Sequence, residues 1–321
     1  MNGPVIVVGD IVADLVAAIS DRPPEWRSDS PPVVAVAGGT VGNVACALAR
    51  LGADVEVLSA IGGDPFGALV AGTLEAERVG TSLLERVDDK FTLVVIAVVG
   101  PDIDRFLWIH PSRDAAPWAR SFGAADAAAV RSARWVHASG SALEERTLGA
   151  TILATMQTAR EAGVPVSLDL NIRPHGEGVS DHYWSRLRAA VDLADVVLGS
   201  SEDEVTAIAG IDDPAGAGIA LAGDARAVVV RLGPDGALAI TGGRFDPVAT
   251  PIAVPGHRVE VASTLGAGDV FDAGFISAML DGASFVDAVR HGNTVAAVSC
   301  TGEGSYSAVT PEAVAELTAD G

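Results

Sequence analysis

The chain has 321 residues, 49% of them hydrophobic and 20% charged, with a formal net charge of −21. That length and composition suit a folded chain with a well-buried core and exclude a disordered one. A nucleic-acid binder neutralises phosphates with Lys and Arg, and the absence of any basic run argues against that function class.

The N-terminal stretch MNGPVIVVGDIVADLVAAIS carries Asp10 and Asp14 and lacks a basic n-region, so it reads as a strand entering a fold and not as a signal peptide. Val5–Val8 is the strand, ended by Gly9. Val41, Val44, Leu48 and Leu51 share one helical face, stopped by Gly52, and Val55–Leu58 is the next strand. Leu148, Ile152, Thr155, Met156 and Ala159 form another helical stripe ending at Gly163. Val164–Leu170 then reads as a strand, Tyr183–Leu193 as a helix, Val196–Leu198 as a strand and Glu202–Ala209 as a helix. Ala227–Leu232 is a strand that GPDG, Gly233–Gly236, turns into a second one. Helices follow from Asp269 and from about Ser284. This alternation predicts an α/β fold: a doubly wound, mostly parallel sheet with helices on both faces.

Two stretches break the rhythm. Residues 12–37 contain the Pro-rich DRPPEWRSDSPP, and Phe91–Val99, a turn at GPDIDR and Phe106–His110 read as a hairpin. The expected division is a core of residues 1–11, 38–90 and 117–321, with 12–37 and 91–116 forming a small β-sheet lid. Cys46 and Cys300 lie outside any CxxC pair and fit a reduced, cytoplasmic protein. The histidines show no ligand spacing, which argues against structural zinc. No apolar run reaches the length of a membrane span.

Four stretches carry candidate chemistry. STLGAGDVFDAGF, Ser263–Phe275, is a glycine-containing turn entering a helix at Asp269, where backbone N–H groups favour an anion. Asp269 as a helix cap explains the same pattern. It is no Walker A loop, since Lys90 is the only lysine, and Phe271 stands where a Rossmann fingerprint needs its third glycine. AGGTVGNVACALARLG, Ala37–Gly52, places three glycines and Asn43 at a helix start. There a backbone can approach a ligand and an amide can both donate and accept. DLNIRP projects Asp169, Asn171 and Arg173 from a strand end, for a ligand or for an Asp–Arg pair that ties down a loop. SSEDE, Ser200–Glu204, serves either Mg²⁺ or a capping box of Ser201 with Glu204.

Taken in order along the chain, VVGDIVADLV, AGGTVGNVACALARLG, VVVRLGPDGAL, STLGAGDVFDAGF and GNTVAAVSCTGEG resemble the ribokinase/PfkB family of carbohydrate kinases over essentially the whole length. The resemblance points to the branch that handles fructose or 2-keto-3-deoxygluconate. It implies ATP-dependent phosphorylation of a hydroxymethyl group, with Asp269 as catalytic base. Gly266, Ala267 and Gly268 would supply the amides of an anion hole. Asp14, Gly38, Gly39, Asn43 and Arg173 would bind sugar. Ser201, Arg231, Gly233, Gly236, Gly268 and Asn293 would face ATP, and Glu204 would act on Mg²⁺ through water. A homodimer pairing lids through Val94–Val99 and Phe106–Ile109 is a further expectation from the family.

The chain also departs from the family. Ser263 stands where many members carry an Asp that helps hold K⁺, which makes activation by a monovalent cation doubtful. Ser201 replaces an Asn. Val12 replaces the Asn of ribose kinases. Ile109 and His110 stand where sugar-acid kinases carry a lid Arg, with Arg113 several residues on. The alternatives to a ketose or sugar-acid kinase are a nucleoside or aminosugar kinase of the same fold and a non-catalytic sugar or nucleotide sensor. A nicotinamide-dependent oxidoreductase lacks its fingerprint glycines.

Overall fold

The computed structural model describes residues 3–18, 33–100, 103–110, 116–117, 120–172, 180–245 and 251–319. In chain order the first elements are β1 (Val5–Val8), β2 (Val12–Ala18), β3 (Val33–Gly38), α1 (Gly39–Arg50), β4 (Val55–Gly62), α2 (Pro65–Ala76) and β5 (Leu84–Val87). Then come β6 (Val94–Gly100), β7 (Ile103–His110), α3 (Ala124–Ser132), β8 (Trp135–Ser139), α4 (Arg146–Glu161), β9 (Val166–Asp169), α5 (Asp181–Leu193) and β10 (Val196–Ser200). The last are α6 (Thr206–Ala209), α7 (Pro214–Ala222), β11 (Ala227–Arg231), β12 (Ala237–Ile240), β13 (Ile252–Val254), α8 (Ala267–Leu280), α9 (Phe285–Cys300) and α10 (Pro311–Ala319).

Nine strands make the main sheet in the order β13-β12-β11-β10-β9-β8-β1-β4-β5. The β11–β12 and β12–β13 ladders are antiparallel and every other pair is parallel. Strand β1 shows why such a sheet needs two helical layers. All four of its residues are buried, Val5 and Val7 in one apolar cluster and Ile6 and Val8 in the other. Successive side chains point to opposite faces, so both faces must be covered. The chain leaves β1 toward β4 on one side and returns to β8 on the other. That is the switch point where ligands bind in open sheets.

Strands β3-β2-β6-β7 form a separate four-stranded sheet. The hairpin read from the sequence is present, with Val94 opposite His110 and Ile96 opposite Trp108. Residues 19–32, which hold the Pro-rich stretch, lie outside the described residues. The expected helix over Glu202–Ala209 is broken. Ser201–Val205 forms one wide π turn and only Thr206–Ala209 is α-helical. The Thr206 hydroxyl donates to the carbonyls of both Ser201 and Glu202, which competes with the α ladder there. Neither cysteine forms a disulfide; Cys46 is buried and Cys300 half-buried.

The C-terminal segment is tied back to the base of the small sheet. The Tyr306 hydroxyl donates to the Ala37 carbonyl at 3.0 Å, and Arg50 lies over the Tyr306 ring while donating to the carbonyls of Tyr306 and Ser307.

Helix α8 is anchored by an aromatic row. The fully buried Phe275 meets Trp135 of β8 and Phe285 of α9 edge-on, with ring centroids 6.4 and 5.4 Å apart. Phe275→Ala should lower the free energy of unfolding by about 3–5 kcal/mol, read as a lower midpoint in urea. An unchanged midpoint would show that this row does not anchor the helix.

Candidate active site

The site is built at the carboxyl ends of the parallel strands. Asp10 follows β1, Ser139 ends β8, Asp169 ends β9, Glu204 follows β10 and Arg231 ends β11. Helix α8 enters from above. Its N-cap, Gly266, has φ 69°, a left-handed conformation, and a Cβ there would fall 2.6 Å from the Cβ of Ser305. Conformation and space both require glycine. Helix starts leave N–H groups without intrahelical partners, and here the Ala267 amide donates back to the Thr264 carbonyl at 3.3 Å. Asp269 is the third residue of α8 and is 7% exposed. Its Oδ2 accepts from Asn43 Nδ2 of α1 at 2.8 Å, joining the two signature stretches across 226 residues of chain.

Around Asn43 lie the other residues expected on the sugar side. A Cβ on Gly38 would fall 1.9 Å from Asp14 Oδ2, so the carboxylate occupies the room a side chain would need. Gly39, at φ 71°, gives its amide to Asp14. The Oδ1 atoms of Asn43 and Asn171 are buried without a hydrogen-bond partner, and such atoms cost stability unless a ligand or water meets them. Asn171 itself has φ 39°, a region that Asn tolerates better than most residues. Arg173 lies outside the described residues.

A second carboxylate belongs to this end of the site and was missed from sequence. Asp10 Oδ1 accepts from the hydroxyls of Thr40 and Ser141. The signal was there: an Asp directly after the Gly that ends the first buried strand.

On the opposite side, Gly233 has φ 61° with open space where its Cβ would be. A Cβ on Gly236 would fall 2.2 Å from the Val254 carbonyl, and Asn293 Nδ2 donates to the carbonyls of Val254 and Pro255 at 3.1 Å each. The GPDG turn and Asn293 therefore meet around Val254–Pro255. Ser263 donates its amide to the Cys300 carbonyl at 3.2 Å, and its Oγ accepts from the Leu265 amide at 3.1 Å, tightening the lead-in to the glycine turn.

Between these halves lies a buried ionic cluster. The Arg231 guanidinium donates to Asp169 at 2.8 and 3.2 Å, to Asp272 at 2.8 Å and to the Gly268 carbonyl at 3.2 Å, and stands 3.5 Å from Glu204. Asp169 thus has an arginine partner 62 residues on in the chain. Burial would neutralise Arg231, yet Asp169, Asp272 and Glu204 hold it charged. Burial likewise raises Asp169, but Arg231 outweighs it and keeps that carboxyl below the usual range. Burial and the neighbouring Asp169 carboxylate push Asp272 well up. Behind it, burial lowers His137 to about 4, so the ring is neutral at physiological pH. Asp272 and His137 were not singled out from sequence, although Asp272 stands three residues after Asp269 on the same helix face.

Glu204 is held by the backbone: Oε2 accepts from the Ser200 amide at 2.6 Å and Oε1 from the Ile172 amide at 3.1 Å. The capping reading is half present. The acid reaches back to the amide of Ser200, the N-cap, whose side chain makes no capping bond. No group of three or more acidic, His or Cys side chains among the described residues is arranged to enclose a metal. A single ordered carboxylate fits Mg²⁺, which keeps several waters and takes its remaining ligands from phosphates.

Asp14 carries a measurable signature. Burial pushes its carboxyl up to about 7, opposed by the Gly39 amide and reinforced by Asp10. The folded protein holds that proton where the unfolded chain, at 3.8, has lost it, so stability falls as pH rises from about 4 to about 7. In ligand-free protein Asp14→Asn should gain on wild type by at most about 4 kcal/mol across that window. Urea unfolding at pH 5 and pH 8 checks this; a difference that fails to widen at pH 8 contradicts the buried, proton-holding carboxyl.

The model of the pfkB family carbohydrate kinases matches residues 3–313. A fructokinase of Salmonella typhimurium is 30% identical over 285 residues, covering 87% of this chain and 85% of its own. The ATP-bound fructokinase structure from Xylella fastidiosa superposes with a TM-score of 0.82 at 25% identity and 98% coverage of both chains. The apo structure of a ribokinase II-type protein from E. coli gives 0.85 at 20% identity, covering 99% of this chain and 100% of that one, a likeness of fold. The chain belongs to the pfkB family of carbohydrate kinases and is an ATP-dependent sugar kinase.

Proposed function

We propose that this kinase transfers the γ-phosphoryl group of ATP to a hydroxymethyl group of a small neutral sugar, a ketose such as fructose. The observation that carries this reading is Asp269, 2.8 Å from Asn43 and set directly beside the left-handed Gly266 turn. A carboxylate and the amides of a helix start, within one helical turn, serve the two ends of one in-line transfer. The carboxylate takes the proton of the attacking hydroxyl, and the amides of Gly266, Ala267 and Gly268 receive charge from the phosphoryl group in transit. Asp14, Gly38, Gly39 and Asn43 bind the sugar. Gly233, Gly236 and Asn293 face the nucleotide, with Ser201 beside the phosphates. Glu204 would act on Mg²⁺ through water, and the ion would supply neutralisation of phosphate charge.

The choice of a neutral sugar over a sugar acid rests on Asp10 and Asp14. Two carboxylates line the sugar end, and no described ion pair neutralises either. A substrate carboxylate would bring negative charge into a poorly solvated end lined by two acids and given no cationic partner by any described ion pair. A 5-dehydro-2-deoxygluconokinase of Photobacterium profundum, 26% identical over 273 residues, shows that relatives at this distance differ in substrate. Two copies would pair through the small sheet, where Val33 and Val34 are 62% and 42% exposed; light scattering of a dimer supports this and a monomer refutes it.

The test is ATP turnover against a panel of neutral ketoses, sugar acids, nucleosides and aminosugars. A neutral ketose should be phosphorylated, and Asp269→Asn should lower kcat by about 10²–10⁴-fold with ATP still bound. Preferential turnover of a sugar acid would overturn the substrate class. An Asp269→Asn enzyme at near wild-type rate would overturn the base.

A further inference from the structure

We propose that Arg231 is a positioning residue that couples Glu204 to the anion-hole turn of α8 and makes no contact with ATP. The inference deepens the reading above and rests on it for the roles of Glu204 and Asp269.

The guanidinium stands where three pieces of backbone converge. It holds Asp169 at the tip of β9, approaches Glu204 in the π turn after β10, and reaches the first two turns of α8 through the Gly268 carbonyl and Asp272. Its fork is turned inward and its side chain is 14% exposed. A Cβ on Gly268 would fall 3.3 Å from the guanidinium carbon, so the absent side chain is what lets the fork lie so close under the turn.

The peptide group is planar. The carbonyl of Gly268 and the amide N–H of Asp269 belong to one such plane and point in opposite directions. Holding the carbonyl at 3.2 Å from below therefore fixes the peptide plane that joins Gly268 to Asp269, directly after the anion-hole amides of Gly266, Ala267 and Gly268. Asp272, one turn further along the same face, sets the rotation of the helix that carries the Asp269 carboxylate. A shift of Glu204 is passed to that turn through one rigid, planar cation. A lysine could supply the charge but not the fork, since it offers a point charge with rotatable donors.

Arg231→Lys and Asp272→Asn test the coupling, with folding checked by circular dichroism and thermal melting. Three readouts are taken. The first is hydrogen exchange of ligand-free protein over residues 265–272. The second is calorimetric titration of ATP with and without Mg²⁺. The third is steady-state kinetics on a sugar that wild type turns over. Expected for Arg231→Lys are exchange several-fold faster in the first turn of α8, ATP affinity without Mg²⁺ within about 2-fold of wild type, and a several-fold smaller gain on adding Mg²⁺. kcat should fall about 10–100-fold with KM for ATP held. Asp272→Asn should move each readout in the same direction by less, and it decides the matter if Arg231→Lys does not fold.

Tenfold weaker ATP binding without Mg²⁺, at unchanged saturated kcat, would make Arg231 a nucleotide contact and overturn the proposal. Folded variants with wild-type exchange and wild-type Mg²⁺ dependence would overturn it too. If wild type phosphorylates no sugar, the assigned reaction fails, while exchange and calorimetry still decide the coupling.

Discussion

One buried cation organises the catalytic end of this molecule. A guanidinium withdrawn from water is tolerated only where carboxylates and carbonyls take up its donors. Arg231 meets that requirement with Asp169, Asp272 and the Gly268 carbonyl, and Glu204 stands close by. The partners come from three places, β9, the turn after β10 and the start of α8, so satisfying one side chain at the end of β11 fixes their relative positions. The carboxylates in turn depend on the cation. Asp169 stays ionised through it, while Asp272, deeper and next to a like charge, is pushed toward its protonated form.

The second constraint is space. Gly266 leaves room for Ser305, Gly38 for Asp14 and Gly268 for the guanidinium. The glycines of the two signature stretches are less about flexibility than about letting polar side chains lie against backbone. Asn43 then closes the arrangement by donating to Asp269 while its carbonyl oxygen stays unmet. A sugar with two neighbouring hydroxyls would donate one to that oxygen and bring the proton of the other next to the Asp269 carboxylate.

How much of this could be read in the sequence depended on range. Strands buried on both faces and amphipathic helices declare themselves over a few residues, so β1, β4, β11, α1 and α9 were legible, as was the β6–β7 hairpin. The α2 helix, rich in Gly and Ala, and the short β13 carry too weak a pattern and were passed over. The glycine turn and Asp269 were legible because their chemistry lies within five consecutive residues. The Arg231 cluster was not. Its members are spread from residue 137 to residue 272, and no local spacing says that a strand-end Arg before GPDG will turn inward to Asp169. The broken helix after β10 was hidden likewise, since Glu204 folds back to backbone amides that only the tertiary fold brings near.

The tie between Tyr306 and the Ala37 carbonyl bears on how the chain is made. The base of the small sheet, the start of α1 and the acids Asp10 and Asp14 all come from the first fifty residues. They are completed by Asp269 and fastened by Tyr306, more than two hundred residues later. During synthesis the early strands leave the ribosome long before their partners exist, and contacts this distant in sequence form late. A chain that stops before Asp269 lacks the carboxylate that Asn43 meets, and one that stops before Tyr306 lacks the bond that fastens the base of the small sheet.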